Sequence, residues 1–352
     1  MSTSSSGAAA TLARPLDQGI LPGEKFAALE EIDFTREAAV AFEIAVDQRG
    51  AYVEARTGAS LQPVVEAFSR MKYGDLDAVT FFAGHLAATA LRHEFFLAFC
   101  RRAAASEHFT YIVSTAMFNV PSASNLLART TADYLNIGLA TMGLPPVINA
   151  QQTRLTESLL GYARRTVRER ASAPVDGAGS VVTIVPESFR SQSVIFLDDL
   201  FNSGYSANRT RPRLRRVHVA EIFSLFAVRV DPPTVAATDG MIEFQLNNAV
   251  IDGSLESVAP MLRRGSFAVV QKLLKITLDP SITAQLPAFL ADLPTAAILK
   301  IYCAAASNDY RRRYQGQFAP SLQVYESVLR ERGVLDASGH IEAASIAQAV
   351  RH

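Results

Sequence analysis

The chain has 352 residues, 49% of them hydrophobic, and its 34 lysines and arginines balance 34 aspartates and glutamates. That length suggests two units, or one core with large additions, and the apolar fraction suffices for a sizeable core. Zero net charge excludes a long-range field that would gather nucleic acid or an anionic membrane, so an anion site must be built locally.

The first ten residues are rich in Ser and Ala, with no charged start and no apolar run long enough for export. Residues 1–25 therefore read as a disordered tail. No stretch reaches the roughly 18 apolar residues that would span a membrane. Cys100 and Cys303 each lie in an apolar helical pattern, which fits reduced, buried thiols of a cytoplasmic protein rather than a disulfide framework or metal cluster.

Residues 26–108 read as an α-helical N-terminal extension, with Ala51-Tyr52-Val53 beside Gly50 as a short extended piece. Asp75 is placed to cap a helix in which Leu76, Val79, Phe82, Ala83 and Leu86 share one face, and 94–100 continues that face. His85 and His93 stand eight residues apart on one side of the pattern. That spacing is too long to chelate one metal as an i, i+4 pair does, so both are expected to be structural.

An α/β core is expected over 109–232. Phe109-Thr-Tyr-Ile-Val113 has strand composition, and a polar loop over 119–125 comes after it. Leu126, Leu127, Thr130, Thr131, Tyr134 and Leu135 then mark a helix ending at Gly138. Residues 153–170 form an amphipathic helix or mobile loop bearing Tyr162, Arg164, Arg165, Arg168 and Arg170, with breakers over 174–179. Residues 180–185 read as a strand.

Val194-Ile-Phe-Leu197 is apolar without alternation, the mark of a strand covered on both faces. The next nine residues, 198–206, lie at its carboxyl end, where open α/β sheets bind ligands. Asp198 and Asp199 fall on opposite sides of the chain and suit sugar hydroxyls or an Mg²⁺-bound ligand. Asn202, Ser203, Gly204, Tyr205 and Ser206 can form an anion cup, in which Gly204 permits close backbone approach.

Pro212 predicts that the next helix is kinked or starts late, and Arg209, Arg211, Arg213, Arg215 and Arg216 make it basic. That cluster reads as a solvated face, a lure for a polyanionic substrate, or a contact for a nucleic-acid backbone. Phe223-Ser-Leu-Phe-Ala-Val-Arg-Val230 reads as a parallel strand. Residues 233–352 read as an α-helical C-terminal extension, and apolar flanks of this size fit a homodimer.

The segment 194–206 resembles the ribose-phosphate loop of the type I phosphoribosyltransferases: four apolar residues, two acids, three variable residues, Ser/Thr, Gly, any residue, Ser/Thr. Every position of the pattern is met. The resemblance implies a central parallel-sheet type I phosphoribosyltransferase core flanked by α-helical extensions. It further implies phosphoribosyl pyrophosphate (PRPP) as donor, with Mg²⁺ carried by PRPP near Asp198 and Asp199. Asp198 and Asp199 become the catalytic pair that holds the ribose hydroxyls, and residues 202–206 hold the 5-phosphate. Ser122, Ala123 and Ser124 fall where the family places its pyrophosphate loop, although that loop often carries a basic residue and this one has none. A plain helix cap by Ser124 or Asn125 is the other reading. Arg164 and Arg165 fall in the interval of the family's flexible flap, as pyrophosphate ligands or as a solvated face.

The implied activity is Mg²⁺-dependent transfer of the phosphoribosyl group from PRPP to an unidentified, nitrogen-type acceptor, releasing pyrophosphate. The alternative is a non-catalytic PRPP-binding regulatory or interaction protein. Walker, dinucleotide and nucleophile-elbow motifs do not occur in the sequence, which argues against those enzyme classes.

Overall fold

The computed structural model describes residues 32–154, 183–184, 187–238, 241–312 and 316–341. The first half contains β1 (Ala38–Val46), β2 (Tyr52–Glu54), α1 (Gln62–Lys72), α2 (Leu76–Arg92), α3 (Glu94–Ala105), β3 (Thr110–Val113), α4 (Ala123–Thr141) and β4 (Val147–Asn149). After β5 (Thr153–Arg154) and β6 (Thr183–Ile184) come β7 (Ser193–Phe201), α5 (Tyr205–Arg216) and β8 (Glu221–Val230). The rest is helical: α6 (Pro232–Ala237), α7 (Ile242–Asn247), α8 (Leu255–Arg264), α9 (Gln271–Thr277), α10 (Leu286–Ala291), α11 (Thr295–Ser307) and α12 (Ala319–Glu331).

Six strands form one sheet in the order β2-β1-β8-β7-β3-β4. β1, β8, β7, β3 and β4 run parallel, and β2 closes one edge antiparallel to β1. β5 and β6 form a separate antiparallel pair. The chain is therefore α/β. From β3 the path runs through α4 to β4 on one side, whereas β7 and then β8 lie on the other. The order reverses between β3 and β7, and a crevice beyond the carboxyl ends of those two strands is where such sheets take ligands.

Alternation along β7 divides the layers. Ile195 and Leu197 pack into the main core with Phe68 of α1, Phe82 of α2 and Leu127 of α4. Val194 and Phe196 turn the other way, toward Leu214 and Ala207 of α5. Both faces are covered, as the unbroken apolar run requires.

Residues 26–108 are not a wholly helical extension. β1 sits inside the sheet, bonded to β8 and β2, and only α1 to α3 match the expected helices. Its sequence, AAVAFEIAV, interleaves alanines, which carry little strand preference, with Val40, Phe42, Ile44 and Val46, and pairing with β8 fixes it as a strand. Gly138 does not end α4; it lies within the helix, and a Cβ there would come 2.2 Å from Leu91 Cδ1 of α2. It is a point where α2 and α4 approach tightly. Cys100 is buried, but Cys303 is exposed, contrary to the expectation of two core thiols. His85 bonds Phe81 O through Nδ1 at 2.9 Å and His93 accepts from Phe96 N–H at the start of α3, so both serve the helices.

α8 to α12 bury a second core built on Leu262, Leu274, Ile298 and Tyr325. It is stitched to the first at the α1–α2 turn. Leu76 N donates to Ser266 O at 3.1 Å and Ala268 N donates to Gly74 O at 2.9 Å. Gly74 has φ +94°, and a Cβ on it would lie 2.1 Å from Ala268 O, so only glycine permits the stitch. Buried Asp75 caps α2 and also accepts from Arg264 at 2.8 Å.

Candidate functional site

β7 continues through both acids, so Asp198 and Asp199 inherit its alternation and face different layers. Asp198 lies on the α5 side, where the Ser206 hydroxyl bonds it, and Asp199 N–H donates to its Oδ1 at 3.0 Å. Asp199 lies on the α1 side. There Lys72 Nζ, at the last position of α1, approaches its Oδ2 to 2.6 Å. Both carboxylates are buried, at 4% and 6% exposure.

Two buried acids side by side cannot both ionise freely. Burial, then the neighbouring Asp199, raises the Asp198 pKa to about 8. Burial alone would depress the Lys72 ammonium, but Asp199, Glu243 and Asp198 outweigh it and raise its pKa. Lys72 therefore keeps its charge at neutral pH beside Asp199.

Asn202, Ser203 and Gly204 form the bend between β7 and α5, and Gly204 takes a left-handed conformation at φ +73°. Tyr205 and Ser206 occupy the first turn of α5, so the expected cup sits at a helix N-terminus, where the first N–H groups have no carbonyl within the helix to bond. α5 does not start late; it begins at Tyr205. It runs through Pro212, because Arg211 is buried and holds its outer turn to the sheet, donating from Nη1 to Ser224 Oγ at 2.9 Å and from Nη2 to Glu37 Oε2 at 2.6 Å. Arg211 is thus a structural member of the basic cluster. Arg209 packs on the Tyr205 ring and donates to its hydroxyl at 3.0 Å.

Across the switch point, the β3–α4 loop is occupied with itself. Ser122 Oγ lies 2.9 Å from Ser124 Oγ, Thr115 Oγ1 lies 2.8 Å from Ser124 Oγ, and Asn125 Oδ1 accepts from Ser122 N at 2.9 Å. Ser122 and Asn125 bracket the start of α4 as a capping pair, and Ala123 is the first residue of the helix. The loop is gripped from outside: Asn119 Nδ2 donates to Ser307 O at 2.6 Å, Val120 N to Asn308 Oδ1 at 3.2 Å, and Gln271 N to Pro121 O at 3.1 Å.

Lys272 is the residue after Gln271. Its ammonium is buried and has no hydrogen-bond acceptor among the described residues; the Tyr73 ring lies 4.5 Å away. A cation–π contact contributes about 0.5–2 kcal/mol, less than the several kcal/mol that burying an ammonium costs. Burial, then the charge of Lys72, holds the Lys272 pKa down to about 7, with Glu243 and Asp199 acting in the opposite sense. Lys72, Lys272 and Glu243 are the participants that sequence reasoning missed. Each is a single charged residue in an ordinary amphipathic stretch, and no local spacing announces that three distant helices meet one strand end.

Arg164 and Arg165, with the rest of the flap interval and the tail 1–25, lie outside the described residues. Among the described residues no three His, Cys, Asp or Glu side chains converge as a metal cage, and no helix is long and apolar enough to cross a membrane.

No protein-family model matches the chain, and no curated protein matches it. Among solved structures, a hypothetical protein from Neisseria gonorrhoeae with bound ppGpp aligns at 12% identity over 50% of this chain and 95% of its own. The TM-score of 0.23 makes that likeness too shallow to assign a fold or a ligand.

Proposed function

We infer that the chain is a Mg²⁺-dependent phosphoribosyltransferase whose sheet is a type I phosphoribosyltransferase core, using PRPP as donor and a nitrogen-type acceptor. One observation carries the reading: the strand that carries Asp198 and Asp199 near its carboxyl end passes through a left-handed Gly204 into the N-terminus of α5, beside the point where the strand order reverses. Carboxylates accept sugar hydroxyls, and helix N–H groups donate to a phosphate, so a phosphorylated sugar matches both halves.

In this reading the residues at 202–206 hold the 5-phosphate while Asp198 and Asp199 orient the ribose. Lys72 then shares Asp199 with the ribose hydroxyls. Partial positive charge at C1 would favour ionisation of Asp198, which burial and the neighbouring Asp199 otherwise hold protonated, so loss of that proton would ease the developing cation. The acid pair offers the oxygen ligands that Mg²⁺ takes alongside substrate phosphates, and no protein cage is needed. The ion, when bound through the diphosphate, neutralises the leaving group.

A non-catalytic PRPP-binding protein is the second reading. It is favoured by the β3–α4 loop, whose hydroxyls are engaged with one another and with the α4 cap. Calorimetric titration of PRPP with and without Mg²⁺ tests the common ground, with Asp198→Asn/Asp199→Asn as control and circular dichroism to verify folding. Mg²⁺-dependent binding lost in the folded double variant supports the site. Equal binding by wild type and variant sinks it, and pyrophosphate release on adding acceptors separates enzyme from binding protein.

A further inference from the structure

We propose that Lys272, delivered by the C-terminal helical layer, is the residue that binds the diphosphate end of the ligand beside the β3–α4 loop. The inference rests on reading the β7 edge as a phosphosugar site, and it names a ligand group for a residue outside the sheet.

Three observations meet at this ammonium. It carries three N–H donors and meets no acceptor among the described residues, although it is buried. The preceding residue, Gln271, bonds Pro121 O in the β3–α4 loop, and Asn119 and Val120 of that loop are held by Ser307 O and Asn308 Oδ1, so α9 and the loop form one fixed wall. The loop residues Pro121, Ser122, Ala123 and Ser124 include no cation, and the other lysine, Lys72, is already matched to Asp199. An anion here would meet the Lys272 ammonium beside the Tyr73 ring, on the wall whose backbone holds the β3–α4 loop.

Retention of such a charge is informative in itself. A buried ammonium with no acceptor is a burden on the folded state, whereas a bound diphosphate would supply the missing acceptors and a countercharge. Burial, then the charge of Lys72, depresses its pKa. Glu243 and Asp199 act on it in the opposite sense without removing that depression.

The test is calorimetry on the full chain with inorganic pyrophosphate plus Mg²⁺ and, separately, ribose 5-phosphate, using wild type, Lys272→Gln and Lys272→Arg. The expected result is pyrophosphate affinity about tenfold weaker or more in Lys272→Gln and largely restored in Lys272→Arg, with ribose 5-phosphate affinity unchanged. Equal pyrophosphate affinity in wild type and Lys272→Gln overturns the assignment, as does a wild type that binds ribose 5-phosphate but not pyrophosphate; the phosphosugar reading survives both. Lys272-dependent pyrophosphate binding without any binding of ribose 5-phosphate or PRPP keeps the anion site and removes the phosphosugar reading. Thermal unfolding of Lys272→Gln at or above the wild-type midpoint is expected, and a marked drop would show Lys272 to be a structural residue and count against the assignment.

Discussion

Lys72 and Asp199 stand 127 residues apart in the chain and meet at 2.6 Å between Nζ and Oδ2. The contact joins the end of α1 to the carboxyl end of the central strand, so the N-terminal helices do more than cover the sheet. They supply the countercharge without which the two adjacent acids could not be held under cover.

Adjacent acids should therefore respond oppositely to removal of charge. Asp199→Asn removes the nearest countercharge of buried Lys72, leaving the more distant Glu243 and Asp198, and is expected to cost about 3 kcal/mol. Asp198→Asn keeps an acceptor for Asp199 N–H and relieves repulsion between the acids, so it should be neutral or stabilising at mildly alkaline pH. Urea unfolding of the two single variants decides the matter. Equal losses would show that the ion pair does not dominate the site.

The pH dependence of stability has two opposed parts. Asp198 ionises at about 3.9 when unfolded and at about 8 when folded, so between those values the native state holds a proton that the unfolded chain lacks. Its stabilising share is complete below the ordinary carboxylate range and is lost as pH climbs through 8. Lys272 behaves in reverse: from about 7 up to its ordinary value of 10.5 the unfolded chain binds the extra proton, and stability rises with pH. Urea midpoints across this range should flatten on the acid side in Asp198→Asn and lose the alkaline rise in Lys272→Gln.

Gly74→Ala places a methyl group 2.1 Å from Ala268 O at a φ of +94°. Neither partner is a flexible side chain end, so the stitch must open, at an expected cost of about 2–4 kcal/mol. A variant as stable as wild type by thermal unfolding would mean that the two cores do not depend on this join.

Arg211→Met tests whether the basic cluster is structural at that position. The change strips Ser224 of its donor inside the sheet and unfastens α5 from Glu37, for an expected loss of about 2–3 kcal/mol, discounted because Glu37 is 43% exposed. Nucleic-acid binding measured at low salt should not depend on this residue. A salt-sensitive affinity for DNA that disappears in Arg211→Met would contradict its structural assignment.

The parts of the fold that could be read in the sequence were those governed by local pattern. Val194 to Leu197 lack alternation because both faces are covered, and the separation of Asp198 from Asp199 results from strand geometry alone. β1 escaped notice because alanine carries little strand preference and the neighbouring strand decides its state. Pro212 does not delay the start of α5, which begins at Tyr205 and is held to the sheet by Arg211. Lys72 and Lys272 were illegible for a different reason: their meaning lies in which strand end they reach, and that is settled by the packing of distant helices.

The two apolar cores touch a common side chain at Leu126, partly buried against each, and are joined further by the turn at Gly74, by Ser69 and Asp75 and by the bonds around the β3–α4 loop. Such an arrangement divides the molecule into two cooperative units with the acid pair at their seam. Amide protons of α8 to α12 would then exchange in a separate tier from those of β7 and β8. A ligand clasped between the two would draw the tiers together, making slowed exchange in the helical layer a reporter of occupancy at a strand end it does not belong to.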